Sequence, residues 1–564
     1  MKDFSLSLLA LFLLSVGLSI GGCDFLSYDE TTAYKEDDVF ENLTRTRRFV
    51  SNIYSRFRPG GFNSVGGAMR ASGADNAEEV SPNSPVQTFN NRIWSPTNSV
   101  DSKWSGTPGD LYQGIRAANQ LLENFDIENY DDLQYNDGSG PGNADYESLM
   151  ARAQYYPYEA RFLRAFFHFK LLKRYGSIPL VTSVLTPKEA NNIESSSYQE
   201  IVDFIVTEMD AIATELPVTF ENVPVAATGR PTRGTAMALK ARALLYAASP
   251  LNNPNGEQER WVQAAEAAKA IIDSSFYSLE SNYSDAFNNI TSDELIWERR
   301  HGPSNDFERS NFPAGFEGAN PGTAPTQNLV DSYEMKSTGK PIEASDSGYD
   351  PDNPYEGRDP RFYQTVIYNG STWKGREVET WNGGLDGPPQ PEATETSYYL
   401  KKYLIEDISI SPPQTTTRTH TWVVFRYAEV LLNYAEAMNE AYGPSNAAGM
   451  GMTAREAVNM VRARAGMPDF PSGMTKADFR EKLRNERRVE LAFENHRFWD
   501  IRRWKIGPST TDIYGMEITR NQDGTFNYER ELIEERVWNE RRNRYPIPQG
   551  ELSKNQALQQ NQGW

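Results

Sequence analysis

The sequence predicts a mostly α-helical body of tetratricopeptide-like helical hairpins that carries long loop and short-strand insertions, and three observations predict it. Apolar residues recur at steps of three and four through most of the chain, the period of amphipathic helices. The helices come in pairs, early and late, with Ala at close-contact positions such as Ala236, Ala243 and Ala247 beside Leu239 and Tyr246. After Ser274 the texture changes: Pro, Gly, Asn and Tyr dominate from His301 to Gln414 without a helical period. The repeat spacing is irregular, so periodicity alone fits a generic all-α bundle with insertions as well.

The elements follow in order. Lys2 precedes a Leu-rich, uncharged stretch from Phe4 to Gly22 that narrows to Gly21-Gly22 before Cys23, the chain's single cysteine. This resembles a bacterial lipobox, so residues 1–22 read as a lipoprotein signal peptide and Cys23 as the lipidation site. Ser5, Ser7, Ser15 and Ser19 interrupt the stretch, which is short of the ~20 apolar residues a spanning helix needs. An acyl chain embeds at ~0.8 kcal/mol per buried CH₂, enough to hold a water-soluble body at a membrane. Residues 23–44, with Asp24, Asp29 and Glu30, read as a polar tether, and residues 45–564 as one domain.

Within that domain Phe49, Val50, Ile53, Tyr54 and Phe57 mark a helix over Arg45–Phe57. Met69–Val100, rich in Gly, Ser, Asn and Pro, reads as a long loop region, the usual place for function. A helix over Asp110–Phe125 follows. Pro157–Tyr175 is so rich in Phe and Leu that little polar face remains, which predicts a buried helix stopped by Gly176 and Pro179. Further helices are expected over Ser197–Leu216, Pro231–Ala248 and Arg260–Ile272. The insertion spans 274–425, with strand-like pieces at Tyr363–Tyr368 and Trp422–Phe425. Helices return over Arg426–Ala441, Ala454–Ala465 and Lys476–Trp504, and Asp523-Gly524 between Ile518 and Phe526 signals a hairpin.

Composition narrows the function classes. The chain has 57 Lys and Arg against 77 Asp and Glu, a net charge of −20. Such a surface repels nucleic acid and polyanionic polymers, although solubility explains the same charge. It favours a neutral glucan or fructan over an acidic glycan, a preference that a local basic patch would reverse. A single cysteine committed to lipid leaves no disulfide, thiolate nucleophile or Cys-ligated metal. His168, His301, His420 and His496 are scattered, with no H-E-x-x-H, G-x-S-x-G or Walker loop, and His168 reads as a satisfied core histidine. Asp350, Asp352, Asn353, Glu356 and Asp359 crowd oxygen ligands, but their spacing departs from a calcium loop and suits turn chemistry. Carboxylates are abundant enough for glycoside cleavage, but abundance does not place two of them across a cleft.

Several segments together resemble the SusD/RagB family of outer-membrane nutrient-binding lipoproteins. They are Gly21-Gly22-Cys23; Glu159–Ala165 running into Tyr175–Val181; Arg233–Ala236 into Leu244–Tyr246; Arg426–Leu432; Glu486–Glu494 with His496–Asp500; and Tyr545–Pro548 with Gln562-Gly563-Trp564. The resemblance implies a scaffold of four tetratricopeptide-like hairpins, the irregular segments forming the ligand face. It implies a location on the exterior of the outer membrane, held by the lipid anchor, and capture of oligosaccharides or polysaccharides for a SusC-like TonB-dependent transporter. It implies no catalysis, no cofactor, no metal and no nucleic-acid partner. Capture of peptides or another nutrient by the same architecture, or glycoside hydrolysis, are the alternatives.

Sugar capture needs flat rings to stack on C–H faces and polar groups to bond hydroxyls. Placement in loops selects Arg70, Asp75, Asn76, Trp94 and Trp104 in the early region and Trp297, Trp373, Arg376, Trp381, Tyr399 and Tyr403 in the insertion. Long loops must also bury some rings to stay ordered, so each single Trp fits either role. Trp422, Trp499 and Trp504 fall in strand or helix patterns and read as core. Arg161, Arg164, Glu429, Glu490 and Asp500 lie among apolar helix residues, where charges are paired and structural.

Overall fold

The long helices stack one on the next, and sequence order is the order of stacking. A computed structural model describes residues 35–564 except 58–60, 63, 105–109, 131–143 and 221–228. The expected signal peptide, Cys23 and the first part of the tether lie outside the described residues. The helices of the array and the corner that follows it are α1 (Leu43–Arg56), α2 (Leu111–Asn124), α3 (Tyr156–Tyr175), α4 (Tyr198–Ala213), α5 (Arg233–Ala248), α6 (Gln258–Ser274), α7 (Tyr427–Tyr442), α8 (Ala454–Ala465), α9 (Lys476–Glu490) and α10 (Arg497–Arg503); further helices, Ala144–Ala153 the longest, lie outside it. Each of α1 to α7 packs against its successor, so α1/α2, α3/α4, α5/α6 and α7/α8 form four hairpins of a mostly helical, tetratricopeptide-like scaffold, and α9 packs on α7. Phe40 and Leu43, within the expected tether, already pack in its core.

Local sequence accounts for the helix limits. Ser197 with Glu200 and Thr453 with Glu456 form reciprocal capping boxes that start α4 and α8. Gly176, at φ 83°, ends α3. Small residues set the spacing: a Cβ on Gly114 of α2 would lie 2.6 Å from the Phe167 ring of α3, so only glycine lets those helices approach. His168 is fully buried in α3; its Nδ1 donates to the Arg164 carbonyl at 2.8 Å and its Nε2 accepts from the Val181 amide at 3.2 Å.

Although the insertion separates them in sequence, α6 and α7 pack directly on each other. The insertion leaves and rejoins the scaffold through a neck of two antiparallel strands, β2 (Leu295–Ser304) and β4 (Arg418–Arg426). The early loop region is tied to it by β1 (Ala77–Glu79) against β3 (Thr323–Pro325). The hairpin expected at Asp523-Gly524 is present as β5 (Asp512–Arg520) and β6 (Phe526–Glu535). The 350s acidic cluster forms a turn in which Asp350 accepts from the Asp352 amide at 3.0 Å and from Asn353 Nδ2 at 2.8 Å.

Two hydrophobic cores result, one within the helical array and one within the insertion. Between them lies a layer of buried charge. Arg426, at the end of β4, bonds Glu490 at 2.7 Å and Glu494 at 2.8 Å from α9 and the segment after it, and Glu294 from the neck at 2.5 Å. Arg361 of the insertion reaches Glu486 at 2.6 Å, Glu490 at 2.8 Å and Asp359 at 2.7 Å. Arg462 of α8 joins Glu334 to Glu486, Arg464 joins Glu294 to Glu490, and Lys402 meets Glu494. Burial would raise the Glu490 carboxyl, but Arg464, Arg426 and Arg361 outweigh it and hold it well below the usual range.

One expected helix differs. Lys476–Trp504 is broken between α9 and α10, where Phe493 and Asn495 take φ of 61° and 66°. Arg426 explains the break: its guanidinium takes the Glu490 carbonyl at 2.8 Å together with the Glu494 carboxylate, bonds a continuous helix would not offer. The signature charges are paired as expected: Arg161 and Arg164 with Glu208, Glu429 with Arg242, and Asp500 with Arg487 and Arg503.

Two measurements check this account. Arg426→Met leaves three buried carboxylates short of a partner and is expected to lower unfolding stability by about 3–5 kcal/mol in urea titrations; a loss under about 1 kcal/mol would refute the role. Burial holds His168 down at about 4, so below pH 6.5 the unfolded chain binds the extra proton and stability falls, levelling near pH 4 after a loss on the order of 3 kcal/mol. His168→Gln should remove that part of the pH slope.

Candidate functional site

A cavity of about 690 Å³ opens where α3, the strand β4, the loop 99–103 and the broken α9–α10 corner meet. Steps of three and four along α3 put Phe166, Phe169, Lys170, Lys173 and Arg174 on the face that lines it. The α9–α10 break supplies Glu494, Asn495, His496 and Trp499; β4 supplies Trp422; α5 supplies Arg242 and Tyr246. The cavity thus sits against the junction of scaffold and insertion, with aromatic rings beside cationic groups, the mixture that ligand pockets use.

Most of its charges are already satisfied. Asp101, held at φ 55°, receives Arg70 and Arg174 at 2.8 Å each and Lys103 at 3.5 Å. Burial would raise its carboxyl, but Arg174 and Arg70 hold it far below the carboxylate range. Arg242 pairs with Glu429 and stands 4.0 Å from the Phe425 ring. Lys173 Nζ lies 4.5 Å above Trp499, and Lys170 Nζ lies 5.1 Å above Phe57. Burial, reinforced by Arg174, pushes both ammonium groups well below the lysine range. His496 is likewise pushed down, by burial and then Arg487 and Arg242. Ser64 Oγ, Ser99 Oγ and His301 Nε2, all from lining residues, are buried without a hydrogen-bond partner among the described residues.

A second, open cleft of about 730 Å³ lies between residues 79–85 and 310–323 and shares the Gly66-Gly67 turn with the first. Gly66, at φ 60°, would drive a Cβ to 2.4 Å from Pro85, so this shared wall requires glycine. Asn83, Asn311 and Asn320 line the cleft, and burial followed by Glu78 pushes Glu79 up to about 7.

The structure redistributes the residues expected from the sequence. Arg70 lines the cavity, and Trp104 borders a smaller apolar pocket of about 280 Å³ with Tyr112 and Leu558. Trp381 is half-buried against Phe526, and Arg376 is ion-paired with Asp386 at 2.6 Å and stands over Phe316. The others are corrections, because packing occupies them. Trp94, 1% exposed, is enclosed by Phe89, Tyr545 and Trp564. Trp297 stacks on Phe57 at 4.7 Å and donates to the Gly229 carbonyl. Trp373 packs edge-on to Phe312, Tyr403 stacks on Trp422, and Tyr399 donates to the Asp386 carbonyl at 2.5 Å. Asp75 is bound by Arg488 and Arg497, and Asn76 accepts from Arg488 at 2.7 Å. Conversely, Trp422 and Trp499, read as core, are mostly buried yet border the cavity. Lys170 and Lys173 were missed; the signal was two lysines one turn apart among Phe166, Phe167, Phe169, Leu171 and Leu172 of a buried helix.

A helical-hairpin array with a neck-mounted insertion and an internal ligand-sized cavity defines a binding scaffold. The SusD family description matches residues 293–564, and a second, "Starch-binding associating with outer membrane", matches residues 70–245. The chain belongs to the SusD/RagB family. A SusD-like protein of Formosa agariphila is 23% identical over 86% of this chain and 87% of its own. The crystal structure of a SusD-like protein from Bacteroides fragilis superposes with a TM-score of 0.75 at 27% identity, covering 94% of this chain and 98% of that one. A second from the same species, described as a SusD-like carbohydrate binding protein, gives 0.72 at 25% identity over 92% and 100%.

Trp94→Ala should therefore cost about 3–5 kcal/mol of stability, the usual price of emptying a buried indole site, whereas the half-buried Trp381→Ala should cost about 1 kcal/mol or less. Paired thermal and urea melts distinguish the two, and equal losses would contradict the packing described.

Proposed function

We propose that this protein is a surface-exposed lipoprotein of the outer membrane, anchored through Cys23, that captures oligosaccharides without cleaving them and delivers them to a SusC-like TonB-dependent transporter. Residues 1–22 would be removed as the signal peptide, and residues 45–564 would act as one binding unit. Family membership supports the class of function. The observation that carries the reading to this chain is the cavity, where the rings of Trp499, Trp422 and Tyr246 stand beside guanidinium and ammonium groups. Arg70 on the cavity wall, with Arg376 and Trp381 half-buried at the surface, is the part of the expected ligand set that a glycan could still reach, whereas Trp104 is buried against Tyr112 and Tyr175.

The cavity's carboxylates do not suit acid catalysis of glycoside cleavage. A general acid needs a raised pKa. Asp101 and Glu494 are instead held low, against burial, by Arg174 and Arg70 and by Arg426 and Lys402 respectively.

Calorimetric titration of the detergent-solubilised mature chain with neutral and acidic oligosaccharides, followed by thin-layer analysis, tests the reading. Heat with intact sugars is expected. Cleavage would indicate a hydrolase, and silence across the panel with heat from peptides would favour peptide capture.

A further inference from the structure

The cavity carries more charge than a neutral sugar requires. Arg70, Lys103, Lys170, Lys173, Arg174 and Arg242 face it, against only Asp101 and Glu494. Both carboxylates are already committed: Asp101 to Arg70, Arg174 and Lys103, and Glu494 to Lys402 and Arg426. Arg242 has Glu429. Lys170 and Lys173 are left with no ion-pair or hydrogen-bond partner among the described residues; their heads rest on aromatic rings, and Asp101 attracts Lys170 only from beyond ion-pair distance.

Folding does not call for charge at these two positions. A Leu or Met would cover Phe57, Phe169 and Trp499 equally well and would leave no ammonium to desolvate. Two lysines one helical turn apart, with Arg174 and Arg242 nearby, repel one another whenever they carry charge in a partly dry cavity, which holds their ammonium groups down until an anion binds. A bound anion reverses the sign of each of those interactions. The partnerless hydroxyls of Ser64 and Ser99 are donors of the kind an oxyanion accepts from.

We propose that this cavity seats an oxyanion substituent of the captured glycan, a carboxylate or a sulfate ester, between Lys170 and Lys173, with hydroxyl donors from Ser64 and Ser99. This rests on the glycan-capture reading and reverses the preference for neutral sugars that the net charge of −20 suggests. The acidic exterior and the cationic cavity are compatible, because charges farther apart than ~8–10 Å are screened at physiological ionic strength.

The test compares a uronic-acid oligosaccharide, its carboxyl-reduced neutral counterpart, a sulfated oligosaccharide of the same length and inorganic sulfate, each titrated calorimetrically into the detergent-solubilised mature chain at low and at physiological salt. At least one acidic oligosaccharide should bind roughly tenfold or more tightly than the neutral one, the weight of one charge-assisted hydrogen bond. The advantage should shrink with salt and disappear in the Lys170→Met/Lys173→Met double variant. Lys240→Met, which removes an exposed lysine paired with Asp210, should retain it. The double variant should melt no lower than the parent, since it loses two unpaired charges; if it fails to fold, Lys170→Gln and Lys173→Gln singly should each reduce the advantage. Which acidic probe wins identifies the carboxylate or the sulfate. Equal affinity for neutral and acidic sugars, or a preference that survives the lysine substitutions, overturns the oxyanion seat and leaves glycan capture standing. Lysine-dependent sulfate binding with no binding of any oligosaccharide does the reverse, and no heat from any probe overturns both.

Discussion

The buried charge layer between the two hydrophobic cores is the constraint on which the rest of the structure depends. Arg361, Arg426, Arg462, Arg464, Lys402 and Lys482 face Asp359, Glu294, Glu334, Glu486, Glu490 and Glu494, so six cations meet six carboxylates. Desolvating such groups costs several kcal/mol per ion, and only near-complete pairing offsets it. An apolar interface would tolerate sliding by a fraction of a turn, whereas this one tolerates little, because any shift strands a charge. The insertion is therefore held at one orientation on the scaffold by the exactness of charge matching rather than by area.

That constraint propagates to the cavity. Arg426 draws both the Glu490 carbonyl and the Glu494 carboxylate to itself, which ends α9 and turns the chain through Phe493 and Asn495. The turn presents Asn495, His496 and Trp499 to the cavity opposite α3. The layer charges and the two cavity lysines thus have opposite logic. Each layer charge has an opposite charge within ion-pair distance and fixes geometry, whereas Lys170 and Lys173 have no such partner among the described residues and leave a favourable interaction open for a ligand.

Much of the fold was legible because it rests on local patterns. Periodicity placed α2, α4, α6 and α8 within a few residues of their bounds. The texture change after Ser274 located the insertion, and Asp523-Gly524 located the hairpin. The break between α9 and α10 was not legible, because its cause is a guanidinium from a strand more than sixty residues earlier. No local pattern around Phe493 records the presence of Arg426.

The site was less legible for a related reason. Choosing loop aromatics assumes that loops lie on the surface, but an insertion of this length folds around a core of its own, and Trp373, Tyr399 and Tyr403 are what it buries. Trp94 and Trp297 are used the same way, filling the scaffold core beneath the early loops and the neck. Large rings bury the most apolar area per side chain, so a chain of 12% aromatic residues spends most of them inside. The better guide was a residue out of keeping with its element. In α3, where fifteen of the twenty residues are buried, a lysine must find a carboxylate, solvent or a cavity. No carboxylate among the described residues comes within ion-pair distance of Lys170 or Lys173, which leaves the cavity, and that is where the structure places them.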